Sequence, residues 1–304
     1  MVNNVWSKKI QGILTLDLSR EVRFRDDRKD LFLQLLGLKP GMTVVDVGCG
    51  PGTLTRKLAK WLGKESKIIG VDFDTDFIKY AREKAVELNL KNVIYYEGDA
   101  LKLPLSDNSV DACISHTVIE HVPNREFLIE QKRICSPGGR VSVMYCRPDK
   151  YIKSTPNLLP QISERERELL EKIYQGSEDI NKRYKVGEYW PDSSELPSLF
   201  DELGFANVQV DAIAIPIVID DARNSYAEKI MLVESEKEQL LERLEISLNM
   251  DSKKLFQDEI RELKELVEER FSKRLDFLKK GINIWDYTII IIQIVSGIVK
   301  KSSI

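Results

Sequence analysis

The sequence is poor in several things, and each shortage excludes something. Two histidines stand among 304 residues. The four cysteines, Cys49, Cys113, Cys135 and Cys146, are scattered without a Cys-x-x-Cys pair, so neither a metal centre nor a disulfide framework is expected. Cys113 and Cys146 fall in apolar strand patterns and read as core thiols. Basic charge is not in excess: 46 Lys and Arg against 49 Asp and Glu leave a formal charge of -3. A field of that sign gives no general attraction for a nucleic-acid backbone, and no nucleic-acid partner is expected. Residues 1–9 contain no apolar export segment, which makes a reduced, cytoplasmic setting the expectation. Long apolar runs are missing too. The best candidate, 287–299, holds four consecutive isoleucines but is broken by Gln293, Ser296 and Gly297. It falls short of the roughly 20 residues a spanning helix needs, so no membrane span is expected. Consecutive isoleucines predict instead a strand buried on both faces, paired with a second strand over 206–219.

What the chain does have is a centre. Val44, Val45 and Val47 form an apolar run that ends in Gly48-Cys49-Gly50-Pro51-Gly52 and opens into a helix marked by Leu54, Leu58 and Leu62, with Gly63 as its stop. Three glycines within five residues let the backbone turn sharply and approach a ligand closely. The dinucleotide spacing Gly-x-Gly-x-x-Gly is absent, because Thr53 stands where its last glycine would fall. A second apolar strand, 67–72, ends in Asp72, about where a βαβ nucleotide site needs an acid for ribose hydroxyls. The next helix carries Phe77, Ala81, Ala85 and Leu88 and can be capped by Asp74 or Thr75. Further strands are predicted over 92–97, 110–115 and 140–146, the last entered through the turn Ser136-Pro137-Gly138-Gly139. Strand and helix alternate from 42 to 147, which predicts a parallel, doubly wound α/β sheet.

Outside that stretch the rhythm changes. Residues 1–24 are partly amphipathic and either cover the site or cap the sheet. Asp26 or Asp27 can open a helix whose Leu31, Leu35 and Leu38 share a face. Residues 147–192 hold a polar helix around 163–174 and the aromatics Tyr151, Tyr184, Tyr189 and Trp190, which serve either as a lid over an apolar acceptor or as the core of an insertion. A helix over 193–203 stops at Gly204, and a charged hairpin is predicted at about 222–280, its second helix capped by Asp251 or Ser252. Phe256, Ile260, Leu263, Val267, Phe271, Arg274 and Leu278 fall on one face of that helix. The organisation is then a cover (1–40), a core (41–147), a lid-like insertion (148–192) and a segment completing the sheet around the hairpin (193–304).

The glycine loop from Asp46 to Gly52, with Asp72, Gly98-Asp99-Ala100 and the Ser-His-Thr-Val-Ile-Glu-His-Val segment over 115–122, resembles the class I S-adenosylmethionine-dependent methyltransferases. It looks most like the small-molecule branch that includes the ubiquinone and menaquinone C-methyltransferases. The resemblance implies a mostly parallel, Rossmann-like seven-stranded sheet with helical insertions, S-adenosyl-L-methionine as cofactor and a small-molecule methyl acceptor. It further implies a cofactor site of Asp46, Gly48, Cys49, Gly50 and Gly52 in the loop, Asp72 on the ribose, Phe73, Asp99 and Ala100 about the adenine, and His116 after the fourth strand. Each residue has a plainer reading beside this one. Asp72 can cap a helix, Asp99 can close a turn, Phe73 can serve packing alone, and His121 fits a satisfied structural imidazole. His116 is also the candidate general base, although sulfonium methyl transfer asks more for alignment than for proton transfer. Two other functions fit the same cofactor motifs: a protein or RNA methyltransferase, or a silent cofactor-binding subunit whose hairpin holds a partner. The nucleobase type carries Asn/Asp-Pro-Pro-aromatic after the fourth strand, where Ser115-His116-Thr117-Val118 stands here. The hairpin also offers a surface for homo-oligomerisation.

Overall fold

The computed structural model describes residues 4–154, 161–192, 194–248 and 255–300. The core is an α/β sheet built from β1 (Thr43–Val47), β2 (Lys67–Asp72), β3 (Val93–Glu97), β4 (Val110–His116), β5 (Cys135–Tyr145), β6 (Ile152–Lys153), β7 (Ala206–Val218) and β8 (Tyr287–Ile298). The order is β3-β2-β1-β4-β5-β8-β6, with β7 on the other side of β8. The first five strands are parallel, and β8 runs antiparallel to both β5 and β7. The seven expected strands are present, and the eighth, β6, is a two-residue pairing at Ile289 and Thr288. The isoleucine run does form a strand flanked on both sides, with Ile290, Ile292 and Ile294 buried. Among the described residues no helix is long and apolar enough to cross a membrane.

Both faces of the sheet are covered. One face packs α2 (Lys29–Leu36) and α3 (Thr53–Leu62) through Phe32, Leu36, Leu54, Leu58 and Leu62. The other packs α5 (Asn124–Ile134) and α7 (Glu195–Glu202) through Phe127, Leu128, Leu196 and Phe200. Asp74 caps α4 (Thr75–Glu87) by accepting from the amides of Asp76 and Phe77. Several local expectations shift. In α2 the buried side chains are Phe32, Leu36 and the following Leu38, while Leu31 is exposed, because the Phe24 ring packs against Phe32 at 5.1 Å and fixes which face turns inward. In α4, Ile78 takes the buried place expected of Leu88. The Ser-Pro-Gly-Gly turn is absorbed into β5, which starts at Cys135 with an irregular register against β4 between Val110 and Ala112.

The remaining helices build a cap. A π-helical turn, Trp6–Ile10, and α1 (Ile13–Arg23) precede the sheet, α6 (Glu164–Arg183) follows β5, and α8 (Tyr226–Leu248) and α9 (Gln257–Lys279) lie between β7 and β8. Because β7 runs parallel to β5, all of these insertions leave from one edge, where the strands β1, β2, β4 and β5 end. Leu169 and Ile173 of α6, Leu232, Val233 and Leu244 of α8, and Leu263, Val267 and Phe271 of α9 form one apolar core, with Val22 of α1 packed against it. The insertion at 163–174 and the hairpin are thus one body. The polar helix α6 takes part in this core with a charged group as well: Glu166 is buried and accepts from Arg270 of α9 at 2.9 Å. The start of α9 also departs from expectation, since Phe256 is the flanking residue, 78% exposed, and its amide donates to Glu259. Asp251 and Ser252, expected as its caps, lie outside the described residues.

Candidate active site

The site lies where β1, β2, β4 and β5 end. Gly48, Gly50 and Gly52 have φ of 71°, 54° and 81°, the left-handed region in which only glycine is unstrained. A Cβ at Gly48 would collide with Val118, and one at Gly52 would meet the Tyr95 hydroxyl at 2.7 Å and Ala81 at 2.9 Å. At Gly50 the nearest side chain is Leu16 of α1, 3.8 Å away. The middle glycine therefore faces a cradle roofed by α1, whereas its two neighbours are pinned by packing.

Asp72 closes the adjoining end of β2. One carboxylate oxygen accepts from the amide of Gly50 at 2.8 Å and the other from the amide of Asp74 at 2.9 Å. Each oxygen keeps a further lone pair, so a pair of hydroxyls can still be received. Burial pushes its pKa up to about 6 against the pull of those amides. Asp46 is also buried, accepts from the Thr55 hydroxyl at 2.6 Å, and is pushed up to about 7 by desolvation, with the nearby Asp72 charge adding to it. Cys49 is buried beneath the loop, and desolvation raises its thiol. Phe73 stands 39% exposed beside Asp72, free to meet a planar group. Asp99 is exposed and accepts from the amide of Leu101 at 2.8 Å, the geometry of a turn, while Ala100 packs against the apolar core.

His116 ends β4, paired in register with Met144 of β5. Its ring is buried, meets Phe24 edge-on at 4.9 Å, and its Nε2 has no hydrogen-bond partner. Burial, together with the Arg20 and Arg23 charges, holds its pKa well below the usual histidine value, so the imidazole is neutral near pH 7. The next residue, Thr117, has φ 56°, a strained conformation for a β-branched side chain. His121 is satisfied as expected of a structural imidazole: its Nδ1 accepts from the amide of Gly187 at 3.0 Å and its ring meets Trp6 at 4.6 Å. Burial lowers its pKa to about 4.

Sequence reasoning left residues 1–24 open between a cover and a sheet cap and singled out none of the charged side chains of α1. Asp17 accepts from the Thr53 hydroxyl, the Arg56 guanidinium and, at 2.8 Å, the Tyr80 hydroxyl, which ties α1 across the helix that follows the glycine loop. Ser7 binds Asp74 through both its amide and its hydroxyl at 2.9 Å. The amides of Leu14 and Thr15 donate to Glu242 of α8. These contacts hold the described part of residues 1–24 against α3, α4 and α8. A signal was present: Asp17, Arg20 and Arg23 recur every three positions on the side of α1 that also carries Phe24, a charged stripe beside apolar residues. The four aromatics expected together are separated. The Tyr151 hydroxyl donates to Cys146 Sγ at 3.0 Å beside Arg23, Trp190 packs on the sheet core under Arg147, and Tyr184 belongs to a small cluster with Ile180 and Ile246. The amide of Tyr189 donates to the Glu120 carbonyl, and Asn124 donates to the carbonyl of Tyr189, so this stretch is clasped to the segment after β4.

Among the described residues no group of three or more His, Cys, Asp and Glu could hold a metal ion. The donor set suits S-adenosylmethionine instead: a roofed glycine cradle at Gly50, a carboxylate with spare lone pairs at the end of β2, and an unpartnered imidazole nitrogen at the end of β4.

A family model described as a methyltransferase domain matches residues 38–204. Demethylmenaquinone methyltransferase of Bacillus cereus is 27% identical over 186 residues, covering 59% of this chain and 76% of that protein. Among solved structures, the YcgJ protein of Bacillus subtilis aligns with a TM-score of 0.51 at 15% identity, over 91% of this chain and 100% of that one. Phosphoethanolamine N-methyltransferase 2 of Haemonchus contortus aligns with a TM-score of 0.51 at 17% identity, over 91% of this chain and 53% of that one. At such identities the two structures speak for the fold alone. The family model takes in more than half of the sequence, and the chain belongs to the methyltransferase-domain family as a class I, S-adenosylmethionine-dependent enzyme.

Proposed function

We propose that the protein methylates a small-molecule acceptor inside a chamber roofed by α1. The observation that carries this reading is the closure: α1 is tied to the glycine-loop helix through Asp17 and to the cap through Glu242, directly over the strand ends. An enclosed floor of that kind suits a small acceptor better than a folded protein or an RNA strand, and the demethylmenaquinone relative is in keeping with it.

In this reading Asp46, Gly48, Cys49, Gly50 and Gly52 line the methionine and sulfur part of the cofactor, Asp72 receives the ribose hydroxyls, and Phe73, Asp99 and Ala100 border the adenine. When bound, S-adenosylmethionine supplies an electrophilic methyl group, and the chain contributes alignment and exclusion of water. His116 acts as a neutral hydrogen-bonding group at the methyl end. A general-base role fits it less well, because uptake of a proton beside two guanidiniums is unfavourable. Four buried free thiols agree with a cytoplasmic setting. A homo-oligomer formed through the hairpin would use its outer, charged face, since the inner one is buried on α6.

Calorimetric titration and thermal melts test the proposal. S-adenosylhomocysteine should bind and raise the melting temperature by mass action, and NAD should do neither. Stabilisation by NAD alone would overturn the assignment of the loop.

A further inference from the structure

Arg20 and Arg23 sit three positions apart on α1 and turn toward the ends of β4 and β5. Arg20 donates to the Thr117 hydroxyl and to the Ser19 hydroxyl, each at 2.9 Å. Arg23 reaches Cys146 Sγ at 3.8 Å, a weak contact, and its buried Nε has no partner. The buried arginines Arg56 and Arg274 each have a carboxylate partner, Asp17 and, at 3.1 Å, Asp220, although Nε and Nη1 of Arg274 make no hydrogen bond. Among the described residues no such ion pair is formed by Arg20 or Arg23, although both charges act on the buried Glu120. Two more orphans adjoin them, His116 Nε2 and Glu120 Oε2, on side chains 6% and 3% exposed. Unmade hydrogen bonds on buried groups are costly and rare, and several around one point imply a missing polar partner. The dominant charge there is that of two guanidiniums, whose planar donors match a carboxylate or a phosphate.

We propose that the acceptor carries a carboxylate or phosphate group and that Arg23, with Arg20 and Tyr151, receives it at the end of β5. This rests on the methyltransferase reading above. The position favours acceptor over cofactor. Between β2, which ends in the ribose acid, and β5, which ends beside Arg23, lie β1 and β4, a separation of about 14 Å at ordinary strand spacing. Thr117 contributes by its strained backbone, which places its hydroxyl where it accepts from Arg20 at 2.9 Å.

The full chain, loaded with S-adenosylhomocysteine, is titrated calorimetrically with benzoate, phenyl phosphate and the neutral benzyl alcohol. At least one anion should bind about tenfold more tightly than the alcohol, as a charge-assisted contact predicts. Which anion does so separates a carboxylate from a phosphate. Arg23→Gln should erase the preference while leaving the affinity for S-adenosylhomocysteine within about threefold of the parent. Equal binding of all three probes would overturn the proposal. So would a loss of S-adenosylhomocysteine affinity in Arg23→Gln, which would give the guanidinium to the cofactor's own carboxylate. If Arg23→Gln does not melt cooperatively, Arg23→Lys decides by the same readout, a reduced preference supporting the proposal and an unchanged one overturning it. Failure of the parent chain to bind S-adenosylhomocysteine would strike the cofactor reading instead.

Discussion

The sheet and the cap are held together by different physics. Around β1, β4 and β5 the contacts are apolar and the backbone is satisfied by strand ladders, with Val45, Val47, Cys113, Val141 and Val143 in one continuous cluster. The cap has an apolar centre as well, but its helices are fastened by charge. Glu166 pairs with Arg270, Lys172 with Glu259, Arg165 with Glu262, and Asp220 with Arg274. The first kind of contact is non-directional and tolerates small shifts. For the two buried pairs, Glu166–Arg270 and Asp220–Arg274, the second requires each partner to be in place, because a buried charge without its counterpart is strongly unfavourable.

The largest test of this division is removal of β8. Deleting residues 285–304 takes a strand from between β5 and β7 and leaves two rows of backbone groups and the apolar faces beside them unpaired. The truncated chain should lose its cooperative thermal transition by circular dichroism. A truncated chain that still melts cooperatively would mean that the cap, not the sheet, closes the fold on that side.

That strand shows what the sequence makes legible. Four isoleucines in a row, three valines ending at a glycine turn, and leucines every four residues are patterns of burial, and burial in the sheet is decided by local sequence plus period. Asp74 and Gly63 are readable for the same reason, since each acts on backbone within a few residues of itself. The cap is harder to read because its contacts join distant segments. Asp17 meets Tyr80, Glu242 meets Leu14, and Asp220 meets Arg274 and the amides of Ile284 and Trp285. Nothing local to residue 242 distinguishes such an acid from a solvated one, and at residue 17 the charged stripe of α1 marks a face without naming its distant partners. Phe256 makes the converse point: it fits the apolar stripe of α9 by spacing, yet lies exposed where the helix begins.

The next effect in size should come from Asp220. Its carboxylate is buried at the end of β7 and accepts from Arg274 and from the amides of Ile284 and Trp285, so one side chain joins the sheet, α9 and the entry to β8. Asp220→Ala leaves Arg274 buried without a partner and should cost about 3–5 kcal/mol in urea unfolding. The shape of the transition sharpens the comparison. If cap and sheet unfold together, the single midpoint moves. If they are separate cooperative units, an early transition appears and the midpoint of the sheet stays where it was. A loss below about 1 kcal/mol would show that the ionic fastening of the cap contributes no more than a surface pair.

The smallest effect, and the one that bears on the site itself, is the pH dependence carried by Asp72. Burial raises its folded pKa to about 6 from the ordinary carboxylate value of 3.8, so between those values the folded chain binds more protons at this group than the unfolded chain does. The contribution of Asp72 to stability therefore falls as the pH rises through that window and is constant above it. Cofactor binding should respond in the opposite sense, because the ribose hydroxyls are best received by the ionised carboxylate. Affinity for S-adenosylhomocysteine should accordingly rise by about fourfold between pH 5.5 and 7.5, which follows the ionised fraction of a group with a pKa near 6. Asp72→Asn keeps the shape but can neither ionise nor offer two equivalent acceptors, so it should bind about tenfold more weakly at pH 7.5 and lose most of this pH dependence. Calorimetric titrations at several pH values measure both quantities. A parent affinity that is flat across the range, or an Asp72→Asn variant that keeps the full slope, would place the titrating group elsewhere, with Asp46, pushed up to about 7, as the next residue to replace.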